Sequence, residues 1–275
     1  MCLEMSSMIL NDDDLQRFEQ HGASPLPVSS QEGFVNHLGA RIWYATFGSG
    51  PTVVLLHGGL GNSRDWGNQI SQILERGYSV LVIDTRGHGR SSRGNQPFSY
   101  ELFASDAIVV LDILHIGRAA FVGWSDGACT SLVLARMSPE RVKGVFFFAC
   151  NMDSTGTKPF HNTPIIERCL QRHRLDYQDL ASDAAGLAAL MDDLAPMQKD
   201  QPNFSRHDLE SLRIPVTVVQ AEHDEFITAE HARYLANTIP QGHLIGLRGV
   251  SHFAPLQRPR DFNRSILDFL SKLPA

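Results

Sequence analysis

Cysteine is scarce in this chain: Cys2, Cys129, Cys150 and Cys169 are the four among 275 residues. No two stand in a CxxC pair or another metal-ligand spacing, which argues against a zinc knuckle or a disulfide-stapled scaffold. They read as free, buried or incidental thiols of a reducing compartment. Long apolar runs are also missing, since none approaches the ~18 residues of a membrane-spanning helix. The opening MCLEMSSMILNDDD has no basic region ahead of an apolar stretch and turns acidic too soon for a secretory signal. A cytoplasmic protein is expected. Basic residues are in the minority, 24 Lys and Arg against 30 Asp and Glu, for a formal net charge of -6. Such a chain has no electrostatic reason to seek nucleic acid or an anionic membrane. Neither GK[ST] nor a full GxGxxG occurs, so phosphate cradling has no motif behind it. No internal repeat or low-complexity run is visible.

What is present suits a soluble globular enzyme, with 43% hydrophobic and 20% charged residues. The length allows one large α/β domain with a well-buried core. Continuous apolar runs at Thr52–Leu56, Tyr78–Asp84, Ala119–Trp124, Val142–Ala149 and Ile214–Ala221 predict strands buried on both faces. A hairpin over 34–47 precedes them, and His243–Leu247 follows. Helical periodicity over 65–76, 100–114, 127–137, 229–239 and 260–273 alternates with these strands. The pattern predicts a mostly parallel, eight-stranded sheet flanked by helices. The interval from Asn151 to His207 lacks a strong strand and reads as several short helices. It predicts a helical cap, 151–207, inserted after the sixth strand between core segments 33–150 and 208–275. Residues 1–32 read as a peripheral N-terminal extension with a short helix near 14–20.

Gly123-Trp124-Ser125-Asp126-Gly127 matches GxSxG at the end of a strand and the start of a helix. A serine presented on so sharp a turn needs small neighbours, which the two glycines supply. The following amides would lie at a helix N-terminus, where negative charge is stabilised. A hydroxyl needs a base to become a nucleophile. His252, in the loop Gly249–Phe253 between the last strand and the last helix, is the candidate. A carboxylate must orient it. Asp224 is chosen from Glu222-His223-Asp224-Glu225, with Glu222 and Glu225 as rivals. The loop His57-Gly58-Gly59-Leu60-Gly61 offers a backbone amide for an oxyanion: Gly59 is assigned with Asp126, and Leu60 is the substitute for Gly59. His57 reads as a structural hydrogen-bonding residue. Leu60, Trp124 and Phe253 are candidates for the substrate-binding wall, although Trp124 and Phe253 serve equally well as scaffold. Phe160, Met191 and Met197 are candidates for the inner face of the cap. The cap histidines His161 and His173 are expected to be exposed.

The ordered set HGGLG, DTRGHGRSS, GWSDG, AEHDEFI and GVSHF resembles the α/β-hydrolase superfamily over nearly all of the chain after residue ~30. The resemblance implies a triad of Ser125, Asp224 and His252, a structural role for the Asp84–Ser91 loop, a cap over 151–207 and no metal or organic cofactor. A serine nucleophile argues against the epoxide hydrolases and haloalkane dehalogenases of the fold, which use aspartate. The GWSDG elbow is similar to that of valacyclovir-hydrolase-like esterases, in which an acid after the serine is implicated in holding a substrate ammonium. Asp126 occupies that position, and it equally suits the dipole of a helix N-terminus. Enol-lactonases, cofactor-free haloperoxidases and C–C bond hydrolases share the core pattern. The expected activity is that of a carboxylic ester hydrolase acting on a small or medium ester or lactone. A C–C hydrolase of a diketone-like metabolite and a slow ligand receptor are the alternatives. The expected partner is the small-molecule substrate, with the chain a monomer or homodimer.

Overall fold

The computed structural model describes residues 13–181 and 186–274. Eight strands form one sheet: β1 (Gln31–His37), β2 (Ala40–Phe47), β3 (Thr52–Leu56), β4 (Ser79–Ile83), β5 (Ala119–Trp124), β6 (Val142–Phe148), β7 (Val216–His223) and β8 (Gly242–Ser251). Their order is β1-β2-β4-β3-β5-β6-β7-β8. β1, β2 and β4 pair antiparallel, and every pairing from β4 through β3 to β8 is parallel.

The apolar runs explain the layering. Side chains alternate across a strand, so Val53 and Leu55 of β3 face one side while Val54 and Leu56 face the other. The first pair joins Val80, Val82, Val122, Phe146 and Phe148 in one core layer. The second joins Leu81, Ile83, Phe121, Val145 and Phe147 in the opposite layer. Each such side chain, buried from water, stabilises the fold by roughly 1.5–3 kcal/mol.

Helices cover both faces: α1 (Asp13–His21), α2 (Gly67–Leu74), α3 (Tyr100–Ile113), α4 (Asp126–Met137), α5 (Pro164–Leu180), α6 (Gly186–Asp200), α7 (Arg206–Ser211), α8 (Ala229–Thr238), α9 (Ala254–Gln257) and α10 (Pro259–Ser271). The start of α5 follows from its sequence. Thr163 accepts from the Ile166 amide as N-cap, and Pro164 takes the first helical position, where no amide proton is needed.

Two expectations change. The interval between β6 and β7 is dominated by two long helices, α5 of 17 residues and α6 of 15, not by several short ones. Their mixed Ala, Leu, Asp and Arg content blurs the helical period that would have shown their length. The N-terminal extension is less peripheral than its composition suggests: Leu15 and Phe18 are buried in the core layer that contains Phe146 and Phe148. Residues Gln31 and Glu32 already belong to β1. The earliest residues, Cys2 among them, lie outside the described segments. Cys129, Cys150 and Cys169 are free and buried. Among the described residues no helix is long and apolar enough to cross a membrane.

Candidate active site

The chain leaves β3 for β4 on one side and reaches β5 on the other. The carboxyl ends of β3 and β5 therefore diverge, which opens a crevice of the kind that binds ligands in doubly wound sheets. Every candidate catalytic residue follows the carboxyl end of a strand. Gly58–Gly61 follow β3, Ser125 follows β5, Asp224 follows β7 and His252 follows β8.

Ser125 has φ 53 and ψ −123, a conformation costly for a residue with a side chain. It persists because the strand–helix junction packs too closely for alternatives. A Cβ on Gly127 would collide with the Leu56 carbonyl, and one on Gly123 would lie 2.5 Å from the Ala128 backbone. The two glycines of the elbow are thus required by backbone contacts on both sides of the serine.

His252 is buried, and its Nδ1 lies 3.1 Å from Asp224 Oδ1 and 3.2 Å from Oδ2. Asp224 Oδ1 also accepts the amides of Phe226 and Ile227, each at 2.9 Å. Burial acts to raise the Asp224 pKa, but the His252 charge, its hydrogen bond and the two amides outweigh it and hold the carboxyl below its ordinary value. The rival acids take other partners. Glu225 accepts the backbone amide of His252 at 2.9 Å, and Glu222 accepts that of Gly249 at 2.8 Å. Both brace the histidine loop, and only Asp224 meets the imidazole.

In the loop after β3, the Gly61 amide donates to the Gly58 carbonyl, which folds the loop into a turn. Leu60 sits at φ 64. Asp126 is the first residue of α4, so its amide has no intrahelical acceptor. Among the described residues, the Gly59 amide has no backbone acceptor either. His57 is structural in its bonding: Nδ1 donates to the Gly58 carbonyl at 2.8 Å, and Nε2 accepts the Thr85 amide at 2.9 Å. Asp84 accepts the amides of Ser63 and Arg90 and the Arg90 guanidinium. His88 is fully buried, and burial followed by the nearby His57 pushes its pKa down to about 3.

Ser125, His252, Gly59 and Asp126 line one cavity of about 410 Å³. That is within the range of small-molecule sites. Leu60, Trp124 and Phe253 line it as well. Trp124 and Phe253 are also buried in the core layer, so their position suits either of the roles considered for them. α5 contributes Ile166, Leu170 and His173, and α6 contributes Met191, Leu194, Ala195 and Gln198. Phe160 and Met191 are more than a third exposed and line the same cavity. Met197 instead packs into a core layer, 2% exposed, and does not line the cavity. His161 is exposed, but His173 is buried, at 2%. The expectation for His173 failed because helix α5 turns that position inward, where its Nε2 comes within 3.4 Å of the Asp65 carboxylate.

Several lining residues were not visible in the sequence. The Tyr100 hydroxyl donates to Asp126 Oδ1 at 2.7 Å, and Gln198 Nε2 donates to Oδ2 at 2.8 Å. Burial raises the pKa of Asp126 against the pull of these donors. Burial and then the Asp126 charge raise that of Tyr100 well above the ordinary phenol value. Neither residue belongs to a motif, and only their place in α3 and α6 brings them to the elbow.

Comparison with known proteins agrees with this fold. The sequence profile of a family described as alpha/beta hydrolase fold matches residues 51–187. The serine hydrolase BPHL of Mus musculus is 24% identical over 254 residues, which span 88% of this chain and 87% of that protein. The 3-oxoadipate enol-lactonase 2 of Acinetobacter baylyi is 28% identical over 81% of this chain and 90% of its own. Among solved structures, Est816, described as an N-acyl homoserine lactone degrading enzyme, superposes with a TM-score of 0.75 at 27% identity, covering 86% of this chain and all of that one.

Proposed function

Because this chain belongs to the α/β-hydrolase superfamily, we propose that it is a serine hydrolase that cleaves a carboxylic ester or lactone of a small to medium substrate through an acyl-enzyme. The observation that carries the reading is one cavity holding both the strained Ser125 and the His252 ring, with Nδ1 of that ring 3.1 Å from buried Asp224.

Asp224 accepts a hydrogen bond from the Nδ1–H of His252, which leaves Nε2 as the basic nitrogen. Nε2 takes the Ser125 proton as Oγ attacks the carbonyl carbon. The carbonyl π electrons move to oxygen, and the amides of Gly59 and Asp126 stabilise that charge. One donor of this kind is worth about 2.7–4 kcal/mol in the transition state. Collapse of the tetrahedral species breaks the C–O bond, and His252 returns its proton to the departing alcohol oxygen. In a lactone that alcohol stays attached to the acyl group. Water, deprotonated by His252, then attacks the acyl carbon; the C–Oγ bond breaks, His252 returns the proton to Ser125 Oγ, and the acid is released.

Residues 151–207 act as the cap, 33–150 and 208–275 as the core, and 1–32 as an N-terminal extension, whose helix α1 meets cap helix α5 through the Glu19–Arg168 ion pair. Support for this division comes from the residues of α5 and α6 in the cavity wall. The mostly apolar wall suits an uncharged acyl group, and the chain acts as a cytoplasmic enzyme.

The test is a stopped-flow trace with a p-nitrophenyl ester. A burst of about one equivalent of p-nitrophenol per chain is expected, together with an acyl adduct on the peptide that contains Ser125. An adduct on another residue overturns the reading.

A further inference from the structure

His173, on cap helix α5, lies against groups that adjoin each part of the proposed machinery. Its ring centroid is 6.5 Å from that of Trp124, the residue before Ser125, and 6.5 Å from that of Phe253, the residue after His252. Its Nε2 is 3.4 Å from Asp65 Oδ1. The other oxygen of Asp65, Oδ2, accepts the amide of Asn62 at 3.1 Å and packs against Gly61, at the end of the loop that begins with Gly58. Both members of the pair are buried, at 2% and 0% exposure.

This contact is incompletely made. Asp65 Oδ1 and both His173 nitrogens are buried without an aligned hydrogen bond among the described residues. A buried polar pair left this way needs a reason, because each unsatisfied group costs about 1–3 kcal/mol. Phe18 of α1 meets the same ring at 5.8 Å, edge to face, so the pair is enclosed by cap, core and N-terminal helix together.

We propose that His173 is a positioning residue: through Asp65 it couples closure of the cap to the conformation of the oxyanion loop Gly58–Asn62. The inference rests on the ester-hydrolase reading of the site. When the cap settles on substrate, Nε2 moves into line with Asp65 Oδ1. The carboxylate, which already accepts the Asn62 amide, is then fixed in place from its other oxygen, and with it the loop that carries the Gly59 amide. The charge state suits this role. Burial opposes protonation of His173, but the Asp65 charge, its direct polar contact with the ring and then Asp176 outweigh it against Arg172, so its pKa is raised. The groups that face the ring are Asp65 from the core, Asp176 and Arg172 from α5 itself, and the uncharged Phe18, Trp124 and Phe253.

The test uses a p-nitrophenyl alkylphosphonate, which phosphonylates an active serine and places its P–O oxygen in the oxyanion hole. The wild type, His173→Gln, Asp65→Asn and the double variant are compared, with the inhibition constant of a carboxylic acid product as the control for ground-state binding. Misplacing a reacting group by about 1 Å can cost on the order of 100-fold in rate. Each single variant is expected to react about 10- to 100-fold more slowly, with the double variant no slower than the singles. For Asp65→Asn, at a residue that does not line the cavity, product inhibition should stay within about twofold. Asp65→Asn keeps an oxygen for the Asn62 amide, so it carries the test if the His173 variant fails to fold. Wild-type rates in folded variants, or losses that multiply in the double variant, overturn the coupling. A wild type that reacts normally while Ser125→Ala does not isolates that result from the hydrolase reading. A wild type that fails to react removes both.

Discussion

Gln198 of helix α6 donates to Asp126 Oδ2 across 2.8 Å, joining the second cap helix to the residue after the proposed nucleophile. Tyr100 occupies the other oxygen. Each oxygen is therefore already engaged by a neutral donor. Ionised Asp126 is held in a buried site that favours its neutral form. A carboxyl whose folded pKa is raised contributes stability at low pH that is lost as pH rises through the folded value. Asp126→Asn is expected to fold, to match the wild-type melting temperature near pH 4, and to exceed it at pH 8. Thermal melts across that range check the sign. Equal melting temperatures at every pH would contradict it.

Asp224 gives the opposite sign. Its folded pKa is depressed, so its contribution to stability is present above the ordinary aspartate value of about 3.9 and is lost as pH falls through the folded pKa. Asp224→Asn should melt below the wild type at pH 7, and the gap should close as the pH falls through the depressed folded pKa. The same substitution presents an amide in place of the acceptor for Nδ1–H and favours the wrong tautomer. The expected loss in kcat is about 10³- to 10⁴-fold, with KM changed far less. Steady-state kinetics at pH 7 measure it.

The elbow makes a prediction about backbone. A methyl group on Gly127 meets the Leu56 carbonyl, which belongs to a central strand and cannot retreat. Gly127→Ala is expected to destabilise by about 3 kcal/mol or more. Urea denaturation should show a lower midpoint with an unchanged slope.

Ser125 itself stores strain. Its φ of 53 is open to glycine at little cost. Relief of about 1–3 kcal/mol competes with about 0.4–1 kcal/mol of extra chain entropy in the unfolded state. The first term wins, so Ser125→Gly should be more stable than Ser125→Ala by on the order of 1 kcal/mol. Equal midpoints in paired urea titrations would mean that the turn is not strained.

The legible parts of the chain were those with a strict local cause. Strands such as Thr52–Leu56 announce themselves because burial on both faces demands unbroken apolar residues. GxSxG is legible because the Gly123 and Gly127 contacts admit nothing larger. Asp224 could be preferred over its acidic neighbours but not separated from them, since all three lie in one short segment and only the fold shows which one meets the ring. Tyr100, Gln198 and the Asp65–His173 pair had no motif to reveal them. Tyr100, His173 and Gln198 reach the cavity from helices whose packing angle is a tertiary property. Met197 misled for the same reason: its place near the cavity-lining Gln198 did not indicate which side of α6 it would face.

The central claim is that Ser125 carries the hydrolysis, and a p-nitrophenyl ester series from acetate to octanoate tests it most directly. Turnover is measured for the wild type and for Ser125→Ala, with circular dichroism to show that both are folded. The account predicts rapid turnover by the wild type, strongest at the shorter acyl chains that a cavity of about 410 Å³ can hold, and its loss in the variant. Equal turnover by the two proteins would contradict it.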